Sequence, residues 1–413
     1  MTQTNTAWGK LFAQVLDPAN RPNPYPLYAR LREAPVALQE DGTFVVSTYR
    51  EIVALLHHPS ISSDERKSTR GAGALVASGK LAPEGREDNP PFIFLDPPAH
   101  DRLRRLVMHQ FTPERVENMR DQVGQLVNNL LVAHREGSQL DIVDDLAYPL
   151  PVAVICHLLG VPREDEPRFH AWATPLARSL DPAQGMSEAE VKQAAQAAMQ
   201  MGGYMAGLIA ERGAQPGDDL LSGLLAGADP DGRMDERDLV VTMILLLVAG
   251  HETTVNLITN GMLTLLRYPD ALQQLRQDPD SVINVVEEVL RFDPPVQFRT
   301  RTTLTDVEVA EATIPKGATV VLLLASGSRD PVRFPEPERF EPHRPDNEHL
   351  GFGGGMHYCV GAPLARLEAQ IALGTLARRL VNPRLVADPP PNRDNAALRG
   401  PEHLLVRFAR LAD

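Results

Sequence analysis

The chain has 413 residues, 43% of them hydrophobic, and a formal net charge of −13. That balance allows a deep core and argues against nucleic acid or an anionic membrane as a partner. The first ten residues are polar, and no stretch stays apolar for the ~20 residues that a bilayer requires, so a soluble, cytoplasmic, monomeric protein is expected.

Length alone suggests two or three domains at ~100–200 residues each. No linker divides the chain, and a single domain over 1–413 is expected. Tyr25 to Glu33 reads as a short helix, Val36 to Thr48 as a hairpin turning at Asp41-Gly42, and Tyr49 to His57 as helix. Residues 59–98 carry little periodicity and many Gly, Pro and Ser, as a functional loop does. From Ala99 helices dominate. Thr112-Pro113 caps a helix expected to run to about Arg135. Ser187-Glu188-Ala189-Glu190 is a capping box that opens another, to about Arg212.

Asp235 to Tyr268 is the longest helix in prospect. Leu239 to Val248 is apolar nearly all round, which places it through the core. Ser281 to Phe292 is helical and stops at Asp293-Pro294-Pro295. Val307 to Leu324 reads as strands about the turn Pro315-Lys316-Gly317. Residues 330–346 form a proline-rich meander. A helix from about Ala362 to Leu380 and short strands close the chain. The fold class is mainly α with minor β.

Two cysteines of different context do not make a disulfide scaffold. Cys156 sits in an apolar run and reads as a small buried hydrophobe. Cys359 lies in Gly351-Phe352-Gly353-Gly354-Gly355-Met356-His357-Tyr358-Cys359-Val360-Gly361, just before a helix with Pro363 in its first turn. Glycines allow the backbone to approach a flat ligand. The helix N-terminus is expected to favour a thiolate there.

The pattern Phe352-Gly-x-Gly355-x-His357-x-Cys359-x-Gly361 resembles the haem-binding loop of the cytochrome P-450 monooxygenases, soluble bacterial type, and the resemblance extends along nearly the whole chain. It implies a helical prism with small sheets around haem b (iron protoporphyrin IX), with Cys359 as the iron ligand. Phe352 and Gly361 would frame that ligand. In Ala249-Gly250-His251-Glu252-Thr253-Thr254, it implies that Thr253 and Glu252 lie over the haem and relay protons to bound oxygen. Ala249 and Gly250 would then leave room for dioxygen. Read without the resemblance, Gly250 marks close helix packing and Thr253 bonds back to its own helix. Even so, Glu252 after an apolar run needs a reason to be buried.

Glu288 and Arg291 are spaced i, i+3, a weak signal alone. The resemblance couples them with Arg339 into a charged network behind the cysteine loop. His100, Arg104, Arg301 and His357 would hold the haem propionates through charge-assisted bonds, with His349 a lesser candidate. Thr303 stands where the family often has alanine. The substrate pocket is expected to use Leu245, Val248, Ala249, Val296 and Gln297, roofed by residues 59–98 and 176–188. Such a lining suits a lipophilic small molecule: polyketide, terpenoid, steroid or fatty acid.

No Gly-x-Gly-x-x-Gly follows a strand, so the chain offers no dinucleotide site of its own. Electrons are expected from a ferredoxin or flavodoxin with its NAD(P)H-dependent reductase, docking on a basic patch of Arg102, Arg105, His109 and Arg366. The reaction implied is hydroxylation or epoxidation with dioxygen. A peroxide-driven peroxygenase and a non-catalytic haem sensor are the alternatives. The Glu252-Thr253 pair speaks against both.

Overall fold

The apolar run at 239–248 is the middle of a 32-residue helix, Glu236–Arg267, capped by Asp235 accepting the Asp238 N–H at 2.7 Å. This core helix organises the protein. The computed structural model describes residues 8–69, 90–135, 137–178, 187–227 and 232–412. Residues 70–89 of the 59–98 loop and residues 179–186 of the second roof segment lie outside the described residues. Helices Pro149–Leu159, Glu188–Ala214, Val282–Phe292 and Ala362–Arg379 all pack on the core helix. By length and composition that helix is apolar enough to cross a membrane, contrary to the expectation that no stretch qualifies. Yet 67% of its most apolar window is buried inside the protein, as befits a helix run through a core.

The capping box at Ser187 forms with both hydrogen bonds, and its helix runs to Ala214. The helix expected from Thr112 to Arg135 divides into Pro113–Glu117 and Arg120–Val132. The break turns both Val116 and Met119 into the core. Cys156 is buried in the Pro149–Leu159 helix, and burial pushes its thiol up to about 12.

A five-stranded sheet has the order Val36–Leu38, Phe44–Val46, Thr319–Leu322, Arg299–Thr303, Ile61–Ser62. Its pairs are antiparallel except Phe44–Val46 against Thr319–Leu322. Smaller sheets join Gln139–Asp141 to the C-terminal strands and pair Val307–Val309 with Ala312–Ile314. Strand Arg299–Thr303 was not anticipated. Its sequence, Arg-Thr-Arg-Thr-Thr, has no apolar alternation, because two of its positions carry charge into the site described below.

Behind the cysteine loop, Arg291 binds Glu288 through two bonds of 2.8 and 2.7 Å, both side chains fully buried. Arg291 also donates to the carbonyls of Ser328, Pro337 and Arg339. Arg339 therefore enters the network through its backbone only. Its guanidinium is exposed and pairs with Glu336 and Glu341. The second guanidinium beside Glu288 is that of Arg344, 3.6 Å away and largely buried. Removing one partner of a buried pair strands the other's charge. Arg291→Met is expected to cost about 3–5 kcal/mol in urea unfolding, and Arg339→Met no more than ~0.5 kcal/mol. Equal losses would restore the Arg339 side chain to the network.

Candidate active site

The cysteine loop is built on glycines at the two places that need them. Gly353 and Gly355 have φ of 71° and 62°, in the left-handed region. A Cβ on Gly355 would come within 2.2 Å of the Leu56 carbonyl oxygen. Cys359 N–H donates to the Phe352 carbonyl at 3.0 Å, and Arg104 donates to the Tyr358 carbonyl at 2.6 Å. Gly361 then caps the helix Ala362–Arg379.

Cys359 opens onto a cavity of about 230 Å³ that Ala249, Gly250 and Thr253 of the core helix also line. The Thr253 hydroxyl donates to the Ala249 carbonyl at 2.7 Å. A Cβ on Gly250 would meet Ile155 at 3.2 Å, so this glycine also serves close helix packing. The core-helix residues facing the cavity are 245, 246, 249, 250, 253, 254 and 257, a stripe at helical spacing.

Val248 falls off that stripe and packs into the helical core instead. Gln297 is also absent from the cavity. Its side chain accepts from Tyr28 at 2.9 Å and donates to the Pro294 carbonyl at 2.7 Å. Leu245 and Val296 do line the cavity. Leu246, Ile93, Phe94 and Leu324 join them, unmarked by the sequence because apolar residues carry no label of facing.

Glu252 is buried but does not face this cavity. It pairs with Arg393 at 2.5 Å and lines a second cavity, shared with Arg178, Glu190 and Asn256. The carboxylate and the hydroxyl are chain neighbours that point to different sides of one helical wall.

One edge of the apolar cavity gathers cations. Arg104, Arg299, Arg301 and His357 line it, and the His100 ring lies 4.3 Å from that of His357. Arg299 was missed by the sequence reading. Burial lowers the Arg301 guanidinium to about 10, helped by Arg299. Burial also drives His357 down to about 3, with Arg301 and His100 as further causes. His100 bonds Asp101 through Nδ1, while its Nε2 and the Nδ1 of His357 are buried without a partner among the described residues. His349 takes no part: it pairs with Glu287 at 3.1 Å. Thr303 bonds Pro315 and Ala318 and has no bearing on the cavity.

Burial pushes the Cys359 thiol up, against the Gly361 N–H, Arg104, Arg299 and Arg366. Desolvation thus acts against the thiolate, while the Gly361 N–H and the cations act toward it. The anticipated basic patch is also partly neutralised. Arg102 pairs with Asp238 at 2.6 Å, and Arg366 with Glu287 at 2.7 Å. Burial acts to raise Glu287, but bonds from Arg366 and His349 hold it at about 2. Arg105 and His109 stay exposed.

The family model described as "Cytochrome P450" matches residues 49–407. The chain belongs to the cytochrome P450 family. It is 41% identical to the cytochrome P450 monooxygenase PikC of Streptomyces venezuelae, over 94% of this chain and 92% of that protein. It is 39% identical to the vitamin D(3) 25-hydroxylase of Pseudonocardia autotrophica, covering 86% and 85% of the two chains. The ligand-free structure of Mycobacterium smegmatis CYP164A2 superposes with a TM-score of 0.89 at 43% identity, covering 97% of this chain and all of that one.

This P450 is accordingly an oxidoreductase whose cofactor is haem b. The residues present fit that group. Buried cations and two orphaned imidazole nitrogens stand at one edge of the cavity, as a dianionic propionate edge requires, and a sulfur lies in a glycine cradle below it.

Glu368 was not anticipated. It lies in the helix after Cys359, lines the apolar cavity and is fully buried, and its Oε2 has no partner among the described residues. Burial raises its carboxyl well above the usual range, which favours the neutral form in the fold. Folding then holds a proton that the unfolded chain releases above ~4.3, and stability falls as pH rises beyond that value, by up to ~1.4 kcal/mol per unit. Glu368→Gln is expected to flatten this fall. Urea midpoints at pH 5 and pH 7 compare the two proteins, and parallel declines would show an ionised Glu368.

Proposed function

We propose that this P450 holds haem b with Cys359 as the iron's axial ligand and oxygenates a lipophilic small molecule by hydroxylation or epoxidation. The chain acts as one catalytic unit. The observation that carries the reading is that Cys359 and Thr253 line one largely apolar cavity together with Arg104, Arg299 and Arg301. Arg104, Arg299, Arg301, His100 and His357 would hold the propionates. The haem, when bound, supplies the activation of dioxygen, which the cysteine sulfur favours by electron donation.

The chain's own residues do the rest. Leu245, Leu246 and Val296 exclude water and bind an apolar substrate by contact. Thr253 donates to Ala249, which leaves its oxygen lone pairs to accept a hydrogen bond from water in the cavity. Vitamin D(3), the substrate named for the Pseudonocardia 25-hydroxylase, is the kind of lipophilic molecule that suits the lining. Electrons come from a ferredoxin or flavodoxin with an NAD(P)H-dependent reductase, docking where Arg105 and His109 lie exposed near Met108, Met356 and Tyr358, three exposed apolar side chains. A hydroxyl aimed at the cavity favours dioxygen over peroxide as oxidant, since only dioxygen needs protons delivered there.

Thr253→Ala is expected to keep oxygen consumption while diverting most of it to hydrogen peroxide. The ratio of peroxide formed to NADPH oxidised measures this, and an unchanged ratio would remove Thr253 from the proton path.

A further inference from the structure

Arg21 lies between the N-terminal helices Leu11–Leu16 and Tyr25–Leu31 and is 9% exposed. Its Nε has no hydrogen-bond partner among the described residues. Its Nη1 lies 2.9 Å from Asp394 Oδ1 without the geometry of a hydrogen bond, and Nη2 donates to the Leu16 carbonyl at 3.2 Å. A guanidinium keeps its proton in a protein, so the charge stays where the fold buries it. Asp394 relieves little of it, because that side chain is 70% exposed and screened by water.

Arg21 lines a cavity of about 20 Å³ that shares no residue with the one that Cys359 lines. Two more guanidiniums, Arg393 and Arg399, reach it from the C-terminal loop. Each already has one acid, Glu252 at 2.5 Å for Arg393 and Asp293 at 2.7 Å for Arg399. Their remaining bonds go to backbone carbonyls, Pro401 for Arg393 and Arg21 and Pro22 for Arg399. Each guanidinium carries more N–H donors than these bonds use. Two side-chain acceptors on the wall are already taken. Gln297 Oε1 accepts from Tyr28 at 2.9 Å, and Asn395 Oδ1 accepts from the Leu398 N–H at 2.8 Å. The cavity is rich in donors and poor in acceptors, the reverse of what a cation requires.

We propose that this cavity binds a single chloride ion, held by Arg21 with Arg393 and Arg399. Size selects the ion. A water needs ~10–15 Å³ on the same measure, so there is room for one monatomic anion and none for sulfate or phosphate. Charge selects it over water, whose two hydrogens would have to find acceptors among donors. The site goes beyond the oxygenase reading and needs no part of it. Its place in the fold gives the ion a task. Arg393 and Arg399 flank Leu398, which is bridged to Val296 on the wall of the Cys359 cavity. The ion ties the N-terminal helices to that loop and so steadies the wall from behind.

The test uses the haem-loaded protein, with chloride as the ligand in solution and bromide in crystals. Thermal unfolding is followed at constant ionic strength while chloride replaces gluconate, an anion too large for the cavity. Chloride should raise the native midpoint by about 2 °C and then saturate, as a single site does. Arg21→Met should remove that increment and leave the spectrum of the reduced carbon monoxide complex unchanged. Crystals of the native protein grown in bromide without chloride should show one anomalous peak among Arg21, Arg393 and Arg399, a reading that does not depend on the variant folding. A water at that place, or no peak, would overturn the proposal. So would an increment equal in native and Arg21→Met, which is a general salt effect. A peak without any chloride increment in solution would mean binding at crystal concentration only, and would overturn it as well.

Discussion

Burial of charge that this chain does not itself neutralise is the constraint around which the site is arranged. Arg299, Arg301 and His357 are desolvated at one edge of the cavity, and each is pushed toward its neutral form. Cys359 is pushed toward its neutral form as well. Glu65 and Asp96 offset these costs only in part, and burial still dominates. A bound haem would relieve both at once: its propionates would pair with the cations, and its iron would favour the thiolate form of the sulfur. The glycine loop, the Arg104 bond to Tyr358 and the Glu288–Arg291 pair hold the sulfur where that relief is available.

The core helix presents Thr253 to the cavity that Cys359 lines and Glu252 to a different one, so residues adjacent in sequence line separate spaces. The split depends on helical geometry, in which successive side chains diverge around the axis. The same geometry explains why Leu245 reaches the apolar cavity while Val248 packs elsewhere.

Features set by local rules were legible in the sequence. The capping box at Ser187, the apolar run at 239–248 and the glycine cluster before Cys359 each carry their own signal. The features that stayed hidden depend on long-range placement. Arg299 sits in a strand without strand-like alternation. Arg344 and Arg393 are single arginines in loops, and nothing local distinguishes Arg344 from Arg339, which turned out to give only its carbonyl. Glu368 looked like any polar helix residue until the fold buried it. Gln297 and Val296 are neighbours, and only their opposite facing assigns one to Tyr28 and the other to the cavity.

The central claim is that Cys359 is the residue that ligates the iron. The absorption spectrum of the reduced, carbon monoxide-bound holoprotein tests it most directly, compared between the native chain and Cys359→Ser. The native protein should give the strongly red-shifted Soret band of thiolate ligation and the variant should lose it while still retaining haem through its cationic edge. A variant that keeps the red-shifted band would contradict the assignment of Cys359.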